Sequence, residues 1–247
     1  MPSLVLALQV LTRLPLPSRP ATTMAELGRS VVWFPLAGAL IGLMLAVVDQ
    51  AAVRIFAPTV ANAAVVFALV AITGAFHLDG LIDAVDGLTS GPDAATRLAA
   101  MRQRVAGVPG ALAGCGMVFA LFVALGNLPL EARFAGLVLA PMCGQSAILL
   151  GYALFPYGRS EPGLSLAMKE GATPLRSLLG LGVGIGVAAI AGQAAGLALI
   201  AGALVVSVSL GQLALRRLPG LTGDIHGAIC EVTQLGVLLA APAVLLR

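Results

Sequence analysis

The chain has 247 residues, 59% of them apolar and only 10% charged, with a mean hydropathy of +1.02. A soluble domain carries about 25% charged residues, so composition excludes a soluble globule, a disordered segment and a nucleic-acid module with a basic face. What remains is an all-α, polytopic integral membrane protein, in which the placement of 14 Lys and Arg against 11 Asp and Glu matters more than the net charge of +3.

Residues 1–30 read as an amphipathic, interfacial segment of a single domain covering 1–247. Its apolar run from Leu4 to Leu11 is too short to span, since crossing takes about 20 residues. It has no basic residue before it and meets Arg13 at once, so a helix lying at the interface is expected rather than a cleavable signal peptide. Seven windows then approach spanning length, at 31–50, 61–77, 108–127, 134–155, 177–194, 196–214 and 229–246. Pro35, Pro141 and Pro242 fall inside windows, where a membrane helix tolerates a kink. With the N-terminus cytoplasmic, the inner set of bases is Arg13, Arg19, Arg29, Arg97, Arg102, Arg104, Arg159, Lys169, Arg176, Arg216 and Arg217. The outer set is only Arg54, Arg133 and Arg247. Eleven against three is a positive-inside pattern, and it predicts about seven spans with the N-terminus inside.

Gly38 and Gly42, Gly110 and Gly114, Gly182 and Gly186, and Gly192 and Gly196 stand at four-residue spacing inside the windows, which favours close helix packing. The run Gly180 to Gly186 follows no strand, so it too reads as packing rather than a nucleotide loop. Cys115, Cys143 and Cys230 lack metal-ligand spacing and read as buried small hydrophobes.

The acids carry the chemistry. Asp79, Asp83 and Asp86 stand at i, i+4 and i+7 within eight residues. On a helix the second and third lie about 40° and about 20° to either side of the first, so all three share one face. Like charges so placed repel, next to a low-dielectric span that raises the cost. A divalent cation is the simplest compensation. Mg²⁺ is the hard, oxygen-liganded ion held by a few carboxylates plus substrate phosphates. Gly80 and Gly87 are expected to leave room for a bulky ligand. The alternative is a solvated helix end whose acids face water. A second polar island, Thr222-Gly223-Asp224 before the last window, offers Asp224 as a further ligand, as the group that orients a nucleophile, or simply as a helix N-cap. Glu231 lies seven residues on, at the edge of the span, where an unpaired acid is costly. Arg97, Arg102 and Arg104, with Arg159, Lys169 and Arg176, share the acids' side, as a phosphoanhydride substrate requires.

These motifs resemble those of the adenosylcobinamide-GDP ribazoletransferase, or cobalamin synthase, family over nearly the whole chain. The resemblance rests on Leu11-Thr-Arg-Leu-Pro15, Phe34-Pro-Leu-Ala-Gly38, His77-Leu-Asp-Gly-Leu81 with Asp83 and Asp86-Gly87, and Thr222-Gly-Asp224 followed by Gly227-Ala228 and Glu231. It implies a Mg²⁺-dependent transfer at the bacterial cytoplasmic (inner) membrane, with the active site on the cytoplasmic side. The ribose 3′-hydroxyl of α-ribazole, or of its 5′-phosphate, attacks the phosphorus next to the linker of a GDP-activated corrinoid, and GMP leaves. The chain departs from the family at Gln103-Arg104-Val105, where an Asp-Ser-Arg stretch is usual, and at Gln145, where Arg is usual.

The expected site is therefore Asp83 and Asp224 as catalytic residues, and Asp79, Asp83, Asp86 and Asp224 as metal ligands. His77, Arg102, Arg104, Arg159, Lys169 and Glu231 are expected at the substrates. Both substrates and the lipid bilayer are the expected partners, nucleic acid is not, and a homo-oligomer is allowed for. A CDP-alcohol phosphotransferase also uses clustered aspartates, but the Ala-Arg pair that should follow its first Asp-Gly is replaced by Leu81-Ile82-Asp83. A secondary transporter would place its acids near the bilayer midplane between repeated halves, and no repeat is visible.

Overall fold

The computed structural model describes residues 4–17, 22–103 and 105–246. Eleven α-helices lie among them: α1 (Leu4–Leu11), α2 (Met24–Arg29), α3 (Phe34–Ile55), α4 (Pro58–Thr73), α5 (Phe76–Thr89), α6 (Ala94–Ala100), α7 (Val108–Gly126), α8 (Leu130–Leu154), α9 (Leu164–Gly171), α10 (Pro174–Leu215) and α11 (Gly223–Leu245). The described residues form no strand, and the all-α membrane reading holds. Five helices are long and apolar enough to cross a bilayer, one of them running from Met24 to Ile55, or six if the bent pair α4–α5 is counted.

Proline opens α3, α4, α7 and α10 in the first turn, where its missing N–H has no intrahelical partner to lose. Pro35 is thus a helix start, whereas Pro141 and Pro242 lie inside α8 and α11 as expected. The short α1 buries Leu6, Ala7 and Leu11, the last two in a cluster with Phe34, Ile41 and Tyr152.

One window is corrected. The window 61–77 ends as a helix at Thr73, where Gly74 and Ala75 take left-handed φ of 61° and 58°. α5 departs at 86° from α4, so the acidic segment does not continue the second span. The break between the windows 177–194 and 196–214 is present: the segment Pro174–Leu215, labelled α10, is two helices that meet at a kink at Gln193 (φ 51°, ψ −134°). A straight helix of that length would reach about 63 Å, twice a bilayer core of about 30 Å. Instead Gly196 lies against the backbone of Ala188, which a straight helix would hold about 12 Å away, so α10 folds back on itself as two arms.

α8 is the central post, with 83% of its apolar window buried. Against it α3 runs antiparallel: a Cβ on Gly38 would meet the Pro141 carbonyl at 2.6 Å, and one on Gly42 the Leu137 carbonyl at 2.6 Å. The small-residue pairs are therefore packing devices here. Along α10, Gly180 packs on Val32, Gly184 on Ser146, Gly196 on Ala188 and Gly211 on Phe155, while Gly182 and Gly186 face open space. Cys143 and Cys230 are buried, but Cys115 is exposed, contrary to expectation, because α7 leaves that face uncovered.

A buried ion pair locks this arrangement. Arg133 of α8 donates through Nε to Asp49 of α3 at 2.9 and 3.0 Å and through Nη2 at 2.7 Å; the same Nη2 reaches Asn62 Oδ1 of α4 at 2.6 Å, and Nη1 reaches the Leu125 carbonyl of α7 at 2.9 Å. Asp49 is 1% and Arg133 8% exposed. Arg133, counted above among the outer topological charges, is thus an internal tie between four helices. Asp49→Ala should lower stability by about 3–5 kcal/mol, because it strands a buried guanidinium, whereas Asp49→Leu with Arg133→Met should restore most of it. Thermal unfolding in detergent micelles checks both; equal losses in the two variants would refute the tie.

Candidate active site

The site begins where the chain breaks between α4 and α5. At Gly74 a side chain would strike Arg13, whose backbone N–H donates to the Ile72 carbonyl at 2.8 Å. Ala75 adopts the left-handed conformation without glycine's freedom, a strain of roughly 1–2 kcal/mol. Beyond it, α5 buries His77, Gly80, Leu81, Ala84 and Gly87, so the helical period turns Asp79, Asp83 and Asp86 to the opposite side.

Gly80 and Gly87 do not admit a ligand as expected; they admit the protein itself. A Cβ on Gly80 would press on Asp224 and Gly227 of α11, one on Gly227 would sit 2.8 Å from the His77 carbonyl, and one on Gly87 would overlap Met101. α5 and α11 therefore touch backbone to backbone, and this contact brings Asp224 to the acids of α5. Thr222 is the N-cap of α11, its hydroxyl accepting from Ile225 N–H at 3.3 Å. Asp224 is thus not the cap and is left for another role.

Asp224 is held by Arg159, whose Nη2 donates at 2.6 Å, and by the Thr222 hydroxyl at 3.1 Å. Arg159 is placed by a short parallel bridge: Gly158 N–H donates to the Leu221 carbonyl at 2.9 Å and Leu221 N–H to that of Pro156 at 2.8 Å. Asp86 has a different job. Its carboxylate accepts from the amides of Gly107 and Gly110 at 2.6 and 2.7 Å, at the N-terminus of α7, where the helix dipole favours an anion. Asp79 and Asp83 accept no hydrogen bond from any described residue. Burial, followed by the charges of Asp79, Asp224 and Asp86, raises the Asp83 pKa, while Arg159 acts against them.

The four carboxylates thus divide into two that are neutralised by protein and two that are free. Among the described residues, no three His, Cys, Asp or Glu side chains converge as a ready-made metal site. Asp79 and Asp83 are nevertheless oxygen donors without a protein partner, the kind of ligand of which Mg²⁺ takes one or two beside substrate phosphates and water.

A cavity of about 210 Å³ is lined by Asp83 and Asp86 with Ser90, Gln103 and Gly107, and two more lie toward Asp224 and its partner Arg159. One, of about 220 Å³, is lined by Asp79 and Asp224 together with Phe34, Phe76, Tyr152 and His226. The other, more open and about 550 Å³, holds Arg102 and Arg159 with Tyr157 and Glu161. The Asp224–Arg159 pair therefore stands between an apolar, aromatic cavity and a basic one.

The remaining expected residues are scattered around this centre. His77 is buried and lines the aromatic cavity, with its Nε2 3.3 Å from Gln145 Nε2. Arg102 is exposed and paired with Glu161 at 2.5 Å. Lys169 donates to the Tyr152 carbonyl at 2.7 Å and so closes the C-terminus of α8 rather than facing the acids. Glu231 is 6% exposed on α11, two turns from Asp224. Arg104 lies outside the described residues. Sequence reading missed Tyr152 and His226, whose rings stack at 3.8 Å and 16°, and the amides of Gly107 and Gly110. Gly107-Val-Pro-Gly110 carried a usable signal, since Pro in a first turn marks a helix start.

The model of the cobalamin-5-phosphate synthase family matches residues 3–242. A protein of Roseiflexus sp. (strain RS-1) named adenosylcobinamide-GDP ribazoletransferase is 36% identical, over 97% of this chain and 90% of its own length. A protein of the same name from Pseudomonas aeruginosa is 39% identical, over 96% of each chain, and one from Desulforamulus reducens is 30% identical, over 96% and 94%. No solved structure matches.

The division among the acids is testable. Asp86→Ala should cost about 0.5–2 kcal/mol, the worth of a helix cap, and expose the Gly107 and Gly110 amides to hydrogen exchange. Asp83→Asn should leave those amides protected. Equal protection in both variants would show that Asp86 does not anchor α7.

Proposed function

The chain belongs to the cobalamin-5-phosphate synthase family, and on that footing we propose that it is an adenosylcobinamide-GDP ribazoletransferase, a phosphotransferase of cobalamin assembly. The observation that carries the reading is the meeting of the free carboxylates Asp79 and Asp83 with the Asp224–Arg159 pair across the α5–α11 contact. The 3′-hydroxyl oxygen of α-ribazole, or of its 5′-phosphate, bonds to the phosphorus that carries the corrinoid linker. The anhydride bond breaks, and GMP departs with the bridging oxygen.

Each group has a part in this. Asp224, at the wall of the enclosed cavity, accepts a hydrogen bond from the attacking hydroxyl and takes its proton, and Arg159 stabilises the carboxylate in position. Arg102 and Arg159, lining the open cavity, neutralise the diphosphate. Asp79 and Asp83 would hold Mg²⁺, with Asp86 kept beside them by α7. Bound there, the ion supplies Lewis-acid stabilisation of charge on the phosphoryl oxygens. Burial and like charge make a vacant Asp83 costly, which favours a cation at this point.

The topology supports a cytoplasmic site in the bacterial inner membrane, with the N-terminus inside. The acids lie at the end of the bundle where α3 and α11 begin and α8 ends, together with Arg159, Lys169, Arg216 and Arg217, as the positive-inside rule requires. A secondary transporter gains nothing from the geometry: Asp79 and Asp224 stand in the first turns of α5 and α11, at one end of the bundle.

Asp83→Asn should reduce GMP release from the GDP-activated corrinoid and α-ribazole at least about a hundredfold, with the thermal midpoint near that of the wild type. Near-normal turnover would refute the assignment. The raised Asp83 pKa means that protons compete with Mg²⁺ for this carboxylate, so the Mg²⁺ concentration needed for half-maximal GMP release should rise as the pH falls toward about 6. A Mg²⁺ requirement that stays constant as the pH falls would exclude Asp83 as the group at which proton and ion compete.

A further inference from the structure

Three guanidiniums gather where α5 and the second arm of α10 end beside α6, and none of them lines the cavities near the acids. Arg217 Nη1 donates to the Leu88 carbonyl at 3.1 Å, and Arg97 Nη1 donates to the Arg217 carbonyl at 3.3 Å. Arg216 is exposed next to them. Among the described residues no carboxylate pairs with any of the three; the acids that meet arginine are Asp49, Glu161 and Asp224. Asp93, one turn before Arg97, is engaged by the amide and hydroxyl of Thr96 at 2.8 and 3.0 Å. Bonding a carbonyl takes one N–H of a guanidinium's five, so the cluster keeps its charge and most of its donors.

Below this cluster α10 presents apolar surface. From Gly196 to Leu215 the arm rises about 30 Å, the depth of a bilayer core, so Arg216 and Arg217 stand at the level of the head groups. Val205, Val208 and Leu213 are exposed along it, and at about 100° per residue all three lie within about 80° of Arg216. One surface thus runs from lipid-facing side chains to unneutralised guanidiniums.

We propose that Arg97, Arg216 and Arg217 bind the phosphate of one anionic phospholipid, whose chains lie along α10 and whose head group ties α5 and α6 to that helix. The inference stands apart from the transferase reading. Positive-inside topology accounts for bases on this side, but not for two of them being fixed together by main-chain carbonyls. Guanidinium N–H groups match phosphate oxygens, and a phosphate relieves the mutual repulsion of three like charges. A zwitterionic lipid would bring a cation back to the cluster, and free phosphate has no chains for the apolar face. A net-negative phospholipid satisfies both.

The test uses the full chain in micelles of an uncharged detergent. Dioleoyl phosphatidylglycerol, dioleoyl phosphatidylcholine and inorganic phosphate are titrated in turn while the thermal midpoint is followed. Phosphatidylglycerol should raise the midpoint by about 3 °C or more at roughly ten times its Kd. The other two, at the same concentration, should give less than about half of that shift. Each arginine removed should weaken phosphatidylglycerol about fivefold, so Arg216→Gln loses about that factor and Arg216→Gln with Arg217→Gln about twenty-fivefold. Arg29→Gln with Arg54→Gln removes the same charge from exposed positions elsewhere and should keep wild-type affinity. Arg216→Gln alone, at an exposed position, decides the matter if the double variant does not fold. Absence of a phosphatidylglycerol shift overturns the site, as does an equal shift from phosphatidylcholine or inorganic phosphate. Undiminished affinity in a folded arginine variant, or an equal loss in the Arg29 and Arg54 control, overturns it too.

Discussion

Gly80 of α5 and Gly227 of α11 touch backbone to backbone, and the rest of the polar end depends on the separation this contact permits. With side chains at either position the helices would stand farther apart, and Asp224 with its Arg159 partner would leave the acids of α5. The contact also sets the electrostatics. It gathers carboxylates of two helices at one place, and the structure then neutralises two of them. Asp86 is held by the amides at the start of α7, Asp224 by Arg159. Asp79 and Asp83 are left with unmet charge.

The same principle operates at the opposite end of α8, with the outcome reversed. There each guanidinium nitrogen of Arg133 is bonded within the protein, to Asp49, Asn62 and the Leu125 carbonyl. That network is a tie among helices. A buried charge with all its bonds made serves the fold, and one left short of partners near a cavity serves chemistry. The distinction lies in hydrogen-bond completeness rather than in burial, since Asp49 is more deeply buried than any acid of the candidate site.

Much of the candidate site was legible along the chain. The i, i+4, i+7 spacing of Asp79, Asp83 and Asp86 placed them on one face because α-helical geometry is local, and α5 does run from Phe76 to Thr89. Asp224 stood out because acids are rare in so apolar a chain. What could not be read was the division of labour. Asp86 resembles its neighbours in sequence, and only the approach of α7 from twenty residues away makes it an anchor. Lys169 carried a charge on the expected side but spends it on the carbonyls closing α8. Tyr152 and His226 are 74 positions apart and become one stacked wall only after α8 and α11 pack.

Composition and hydropathy alone determined the environment, the helical class and the location of the apolar segments, because each is a sum over neighbouring residues that no distant contact alters. The break at Gly74 and Ala75 and the α5–α11 contact were decided by tertiary structure. Each depends on which surface comes to lie opposite, and a glycine reads alike whether it faces a ligand, a lipid or another helix. The close approach at Gly80 and Gly227, like the pairing of Asp49 with Arg133, exists only once helices far apart in the chain are packed side by side.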